Sequence, residues 1–262
     1  MPIQKNTPVP LYYQLAEQIR EQIETAQLTP GQQLPSEREL SERYRISRMT
    51  ARQALTYLVR QGHLIVRPGI GTFVAEPKLT HDTLHLLGFT EEMLRSGQAI
   101  SSRVLQHGLI EPPASVADRL AIPRDARAVQ IVRLRYSQET PLLLETVYVP
   151  QALAPGLEHE DLSTASLYDV LESRYGLRLH HARQTLEITT ARDDEATLFE
   201  IAHGASLLLL EGVTYTDADQ PVEAFKALYR GDKFAFRLES QRHGQTNQAD
   251  QNRLSVVLRH DH

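Results

Sequence analysis

The chain has 262 residues, no cysteine and a net charge of −5. That length suffices for two modest domains with a core each, and the absence of cysteine excludes disulfides, thiolate zinc sites and cysteine nucleophiles. There is no run of 18 apolar residues and no signal-like N-terminus, so the sequence predicts a cytoplasmic protein with no membrane partner. Charge is unevenly shared: residues 1–75 hold 9 Lys/Arg against 6 Asp/Glu, and the remainder holds 19 against 27. A basic first part on an acidic body suits phosphate attraction by that first part, because local field matters more than net charge.

Residues 9–26 read as a first helix. Leu11, Leu15, Ile19 and Ile23 recur every four positions as one apolar stripe, Pro8 and Pro10 mark its start, and Pro30-Gly31 lies beyond its end. A second helix starts at Ser36, where Ser36 and Glu39 fit a capping box and Pro35 stops any earlier helical run. A third starts near Ser47, carries Ala51, Ala54, Leu55 and Leu58 at i, i+3, i+4 and i+7, and ends at Gly62. Strands at 64–67 and 71–75 flank the turn Pro68-Gly69-Ile70. Helix, short helix, longer helix and hairpin in this order make a winged helix-turn-helix, which lays one helix in the major groove of DNA.

Residues 76–83 read as a linker. Beyond it, strands are predicted at 102–110, 127–137, 141–149, 182–190, 206–216 and 221–230, and helices at 88–96, 166–175 and 193–201. They do not alternate one for one, which predicts an α+β domain with antiparallel hairpins. The expected domains are 1–75 and 84–240, followed by a tail, 241–262, that is rich in Gln, Asn and Gly over 241–253. Within the tail, Leu254–Leu258 is a candidate edge strand.

On the third helix, Arg48 and Arg52 stand one turn apart and off the apolar stripe. They therefore face away from the core near the helix start, where recognition helices touch base edges. An arginine fork matches the two acceptors of guanine, and it also matches phosphate. Arg38, in the first turn of the second helix, can reach either. The hydroxyls of Ser47 and Thr50 suit phosphates, and Ser36 holds the same place at the start of the second helix. Gly69 has no side chain, so the wing backbone can approach a minor groove closely. The alternative is a solvated helix face. The ordered run Leu34-Pro35-Ser36-Glu37-Arg38-Glu39-Leu40, Ser47-Arg48, Thr50-Ala51-Arg52, Leu55, Leu58, Gly62 and Gly69-Ile70-Gly71-Thr72-Phe73-Val74 resembles the DNA-binding domain of the GntR family of bacterial transcription regulators. The resemblance implies that Arg38, Arg48 and Arg52 contact an operator and that Gly69 enters the minor groove. Met49 departs from the family, in which small polar residues are frequent at this position.

On strand 127–137, Val129, Ile131, Arg133 and Arg135 share one face. Two arginines that continue an apolar face need partners or serve an anion, and a phosphate can take both. Ser163 and Ser166 precede Leu167-Tyr168-Asp169-Val170-Leu171, a helix start whose free N–H groups attract anions. The alternative is a structural ion pair with Glu145 on the next strand, and the sequence leaves both open. Glu223, Phe225, Ala227 and Tyr229 share a face of strand 221–230, which suits hydroxyl or amine recognition and equally an ordinary half-buried strand. Through Gly88-Phe89-Thr90-Glu91-Glu92-Met93, Arg133-Leu134-Arg135, Leu144-Glu145, Ser166-Leu167-Tyr168, Pro221-Val222-Glu223 and Tyr229-Arg230-Gly231-Asp232, residues 84–239 resemble the UTRA ligand-sensing domain of the HutC-like GntR subfamily. That resemblance implies a chorismate-lyase-like α+β fold with an antiparallel sheet. It also implies a pocket in which Thr90, Arg133, Arg135, Ser166 and Tyr168 hold a phosphate or carboxylate while Glu145, Glu223 and Tyr229 meet the rest of the ligand. Phe89-Thr90 and the Arg-x-Arg pair are shared with members that sense amino-sugar phosphates.

His81 and His85 have the i, i+4 spacing of metal ligands but no third ligand; adjacent His180 and His181 are expected on opposite faces of a strand; His260 and His262 are terminal. No phosphate-binding glycine loop or serine elbow occurs, and neither metal nor cofactor is expected. The expectation is a non-enzymatic, homodimeric, ligand-responsive repressor, released from a pseudo-palindromic double-stranded operator by a phosphorylated sugar such as glucosamine 6-phosphate or its N-acetyl form. Two alternatives stand beside it: the same regulator sensing a small carboxylic or amino acid, and a lyase-like enzyme with a DNA-binding appendage.

Overall fold

The computed structural model describes residues 3–4, 7–76, 78–82 and 86–237. The chain divides into two compact units, Met1–Lys78 and Leu79–His262.

The first unit opens with helix α1 (Leu11–Glu24), with Pro10 as N-cap. It starts later than the expected residue 9 because a residue before proline is pushed out of the helical region, which excludes Val9. Helix α2 (Glu37–Tyr44) begins in the expected capping box: the Ser36 hydroxyl accepts the Glu39 N–H, and Glu39 accepts the Ser36 N–H at 2.8 Å. Helix α3 (Arg48–Arg60) is capped by Ser47. Leu15, Ala16 and Ile19 of α1, Leu40 of α2, and Ala51, Ala54, Leu55 and Leu58 of α3 meet in one core with Leu64 and Val74. Each fully buried leucine there contributes about 1.5–3 kcal/mol. Strands β1 (Leu64–Arg67) and β2 (Gly71–Val74) pair antiparallel, Leu64 opposite Val74. At the wing tip the Ile70 N–H donates to Arg67 O at 3.0 Å, and Gly69 takes the positive φ (75°) that a type II turn needs after proline. Gln33 braces this turn by donating to Ile70 O at 3.0 Å, and the Arg67 guanidinium lies 4.6 Å from the Phe73 ring centre.

The second unit contains β3 (Leu79–Asp82), α4 (Phe89–Arg95), β4 (Ile100–Ile110), α5 (Ala114–Arg119), β5 (Ala128–Ser137), β6 (Thr140–Pro150), a 3-10 turn (Leu157–His159), α6 (Leu167–Tyr175), β7 (Leu179–Thr190), α7 (Asp193–Phe199), β8 (Ser206–Thr216), β9 (Pro221–Arg230) and β10 (Phe234–Arg237). Six strands form an antiparallel sheet in the order β4-β5-β6-β9-β8-β7. This is the α+β, antiparallel architecture the sequence predicts. Register places Arg133 opposite Glu145, Glu145 opposite Ala227, and Ala227 opposite Leu210. Residues directly opposite share a face, so this row crosses one side of the sheet. That side is covered by α4 and α6, with Phe89, Met93, Leu167, Val170 and Leu171 packed among Ile131, Leu143 and Val147. The other side carries α7, whose Ala196 and Phe199 pack with Leu134, Leu207 and Leu228.

The elements β3, β10 and α5 fall outside the expected strands and helices. The span 76–83, read as a linker, contains β3, which pairs parallel with β10 so that Leu79 faces Phe234. Helix α5 buries only Ala117, too little to leave a stripe in the sequence. Pro77, residues 83–85, the tail 241–262 and its candidate strand Leu254–Leu258 lie outside the described residues.

Candidate functional site

The first unit gathers its candidate DNA-reading residues at the start of α2, the start of α3 and the wing. Ser36, Arg38, Ser47, Arg48, Arg52 and Gly69 are exposed, and Thr50 is half-buried. The pairs Arg38–Glu42 (3.8 Å) and Arg52–Glu37 (3.9 Å) are long and lie in solvent. Such pairs are weak and screened, so a phosphate or guanine can replace the carboxylate. The serines do local work first: Ser47 Oγ accepts the Thr50 N–H at 3.0 Å and lies 2.8 Å from Thr50 Oγ1, and the Ser36 hydroxyl donates to Glu39 at 2.7 Å. Capping sets the helix starts, and those starts carry free N–H groups for anions.

The second unit holds a cavity of about 210 Å³ between the α4 and α6 starts and the sheet. Of the ten residues expected at an effector, nine line it: Phe89, Thr90, Arg133, Arg135, Glu145, Ser166, Tyr168, Glu223 and Tyr229. Ser163 does not. Its N–H donates to Asp161 at 2.9 Å and its carbonyl accepts the Ser102 N–H at 3.2 Å, which ties it into the loop before α6.

Arg133 and Arg135 are each only 2% exposed. Both alternatives left open for them are present together, since each reaches Glu145 and each lines the cavity. Arg133 Nε is 2.7 Å and Arg135 Nη1 2.8 Å from the same oxygen, Glu145 Oε1. Arg135 Nη2 donates to Thr90 Oγ1 at 2.5 Å, and its guanidinium stands 5.1 Å from the Phe89 ring centre. Arg133 Nη1 donates to the carbonyls of Leu162 and Ala165 at 3.3 and 3.4 Å. The Nε–H groups of both arginines nevertheless lack an aligned acceptor; the close Arg133–Glu145 approach is an ion pair without hydrogen-bond geometry. Burial pushes the Glu145 carboxyl up, but the two guanidiniums overcome it and hold it below the usual carboxylate range. Two cations against one firmly ionised carboxylate leave the cavity cationic.

Glu223, 3% exposed, behaves differently. Tyr168 and Thr214 donate to its Oε2 at 3.0 and 2.8 Å, yet burial outweighs these bonds and raises its carboxyl to about 7. It is therefore poised between a neutral donor and an anion near neutral pH.

His180, His181, Ala182 and Gln184 of β7 form a wall that the sequence did not assign to a site. A β-bulge between Leu179 and His181 interrupts the alternation locally, and both histidines border the cavity. His181 lies opposite Tyr215 in the register, on the face away from Thr214 and Glu223. His181 stacks on Tyr215 at 5.0 Å between ring centres. His81 falls in a strand, which removes the helical metal-ligand spacing; its side chain and His85, His260 and His262 lie outside the described residues. Among the described residues no cluster of three or more His, Cys, Asp or Glu could hold a metal, and no helix is long and apolar enough to cross a membrane.

Residues 11–74 match the bacterial regulatory proteins of the gntR family, and residues 95–235 match the UTRA domain. The transcriptional repressor NagR of Bacillus subtilis is 37% identical over 236 residues, spanning 90% of this chain and 97% of that protein. The mannosyl-D-glycerate transport/metabolism system repressor MngR of Escherichia coli is 30% identical over 233 residues, spanning 89% and 97%. The crystal structure of PhnF from Mycobacterium smegmatis superposes with a TM-score of 0.61 at 26% identity, covering 88% of this chain and 99% of that one. NagR and MngR are named repressors and match over 97% of their own lengths, which sets aside the lyase-like alternative. A winged helix-turn-helix followed by an antiparallel UTRA sheet, matched by the repressor NagR over 90% of the chain, places this chain in the GntR family of DNA-binding transcriptional regulators, in its HutC-like branch.

Proposed function

We propose that this chain is a dimeric cytoplasmic repressor, released from a pseudo-palindromic operator when a phosphorylated sugar fills the cavity. Arg38, Arg48, Arg52 and Gly69 read the operator, with Ser36, Ser47 and Thr50 at the phosphates. The observation that carries the ligand assignment is the arginine pair. Two buried guanidiniums share one carboxylate oxygen, and the Arg135 Nε–H has no acceptor; a buried donor left unmatched costs about 1–3 kcal/mol. A phosphate dianion has the charge and the acceptor count to satisfy both, with help from the helix starts at Thr90 and Ser166. Glu145, Glu223 and Tyr229 then face the sugar hydroxyls and the substituent at C2. Glucosamine 6-phosphate or its N-acetyl form fits this division into an anionic end and a polar end. The relative MngR is the repressor of a mannosyl-D-glycerate transport/metabolism system, which supports a sugar-derived ligand here.

Ligand can release DNA only by binding the released arrangement more tightly. The test is operator binding by fluorescence anisotropy, on a site chosen by selection from random DNA, titrated with amino-sugar phosphates, the same sugars without phosphate, and small carboxylic and amino acids. Release by the phosphates alone supports the proposal. Release by a carboxylate and not by any sugar phosphate replaces it with the acid-sensing alternative.

A further inference from the structure

We propose that Met49 is a base-reading residue that selects thymine through its 5-methyl group. Met49 occupies the second position of α3, beside Arg48. The buried residues Ala51, Ala54, Leu55 and Leu58 define the inward side of that helix. At 100° per residue Met49 lies roughly 170° from the centre of this stripe, whereas Arg48 and Arg52 lie roughly 70° and 110° from it. Met49 is thus the outermost side chain of the first turn, at the head of a ridge that continues through Gln53, Thr56 and Arg60.

It is also 69% exposed, the most exposed large apolar side chain among the described residues of the first unit. It contributes nothing to the core there. Its surroundings are cationic and polar: Arg48, Arg52 and Arg60 are exposed on the same helix, and Met49, Arg52, Gln53, Thr56 and Arg60 line one shallow groove with Tyr12 and Tyr57. Flanking guanidiniums suit a polyanion on both sides of the methionine. A recognition helix presents its first turn to base edges. A thioether is too weak an acceptor to read hydrogen-bond donors, but its flexible chain packs well on an apolar group. On the floor of the major groove the thymine methyl is that group. The arginines then read acceptor edges while Met49 reads an apolar one, so the half-site combines guanine with a neighbouring thymine.

The experiment selects the operator with wild-type protein and with Met49→Ala, then replaces each thymine of the half-site in turn by deoxyuridine, which lacks only the methyl. The expected result is one thymine per half-site whose replacement weakens wild-type binding about fourfold, the effect of one buried methyl. The same replacement leaves Met49→Ala binding unchanged, and Met49→Leu restores sensitivity. Circular dichroism of each variant shows whether the exposed substitution has left the fold intact. The proposal is overturned if no deoxyuridine position matters, if wild type and Met49→Ala lose affinity equally at that position, or if the selected half-site holds no thymine.

Discussion

Replacing Glu223 with glutamine should change how stability depends on pH. Glu223 is buried, and its carboxyl ionises near 7 in the folded protein against 4.5 ordinarily. The folded state therefore holds a proton that the unfolded chain releases between those values. Stability must fall as pH rises from about 4.5 to 7, because the native state binds more protons there, and it levels off above 7. At about 1.4 kcal/mol per pH unit, the whole window is worth about 3 kcal/mol. Glu223→Gln keeps an acceptor for Tyr168 and Thr214 and is neutral throughout. It should lose that slope and exceed wild type by up to about 3 kcal/mol at pH 8, with near equality at pH 4.5. Urea unfolding followed by circular dichroism at pH 5, 6, 7 and 8 gives the comparison, and hydrogen exchange in β8 and β9 assigns it to this sheet. Parallel pH profiles for the two proteins would refute the claim that Glu223 is held neutral by burial.

Arg133→Ala or Arg135→Ala should weaken ligand binding about 10- to 150-fold for the loss of a charge-assisted contact, while operator binding in the same anisotropy assay stays intact; a double variant that still responds to ligand at wild-type concentrations removes the anion site from these residues. Arg48→Ala should cost roughly 1–3 kcal/mol on the operator and relax base preference, whereas equal losses on operator and random DNA reduce Arg48 to a phosphate contact. At Gly212 a Cβ would lie 2.6 Å from the Phe225 ring and 2.8 Å from Arg183 O. Gly212→Ala should therefore destabilise the sheet by about 1–3 kcal/mol, and a denaturation midpoint equal to wild type shows that strands β7 and β9 can part without cost.

The elements legible in the sequence were those whose burial repeats locally. The stripe on α3 and the alternation on β5 each sit within one element, so the faces carrying Arg48, Arg133 and Arg135 are legible in the sequence. Glu145 was legible as their neighbour because β5 and β6 are joined by a short connection. What stayed hidden depends on distant partners. Strand β3 is four residues long, with no period to detect, and exists only because β10 pairs with it. The β7 wall depends on a distant partner: Ala182 and Gln184 border the cavity because β7 pairs with β8 in this register, and the bulge after Leu179 is an inserted residue that periodicity cannot foresee. Ser163 resembles a cap because it precedes a helix, but Ser166 holds that position.

The pairing of β3 with β10 also sets a schedule for synthesis. The first unit, Met1–Lys78, emerges from the ribosome with all its partners present. Leu79 then waits about 155 residues for Phe234, roughly 8–30 s at ordinary elongation rates. During that interval the DNA-reading unit can fold and find phosphate while the sensing unit is still incomplete. A nascent chain thus completes its DNA-reading unit well before its sensing unit, and β10, the last strand among the described residues, is what gives β3 its partner.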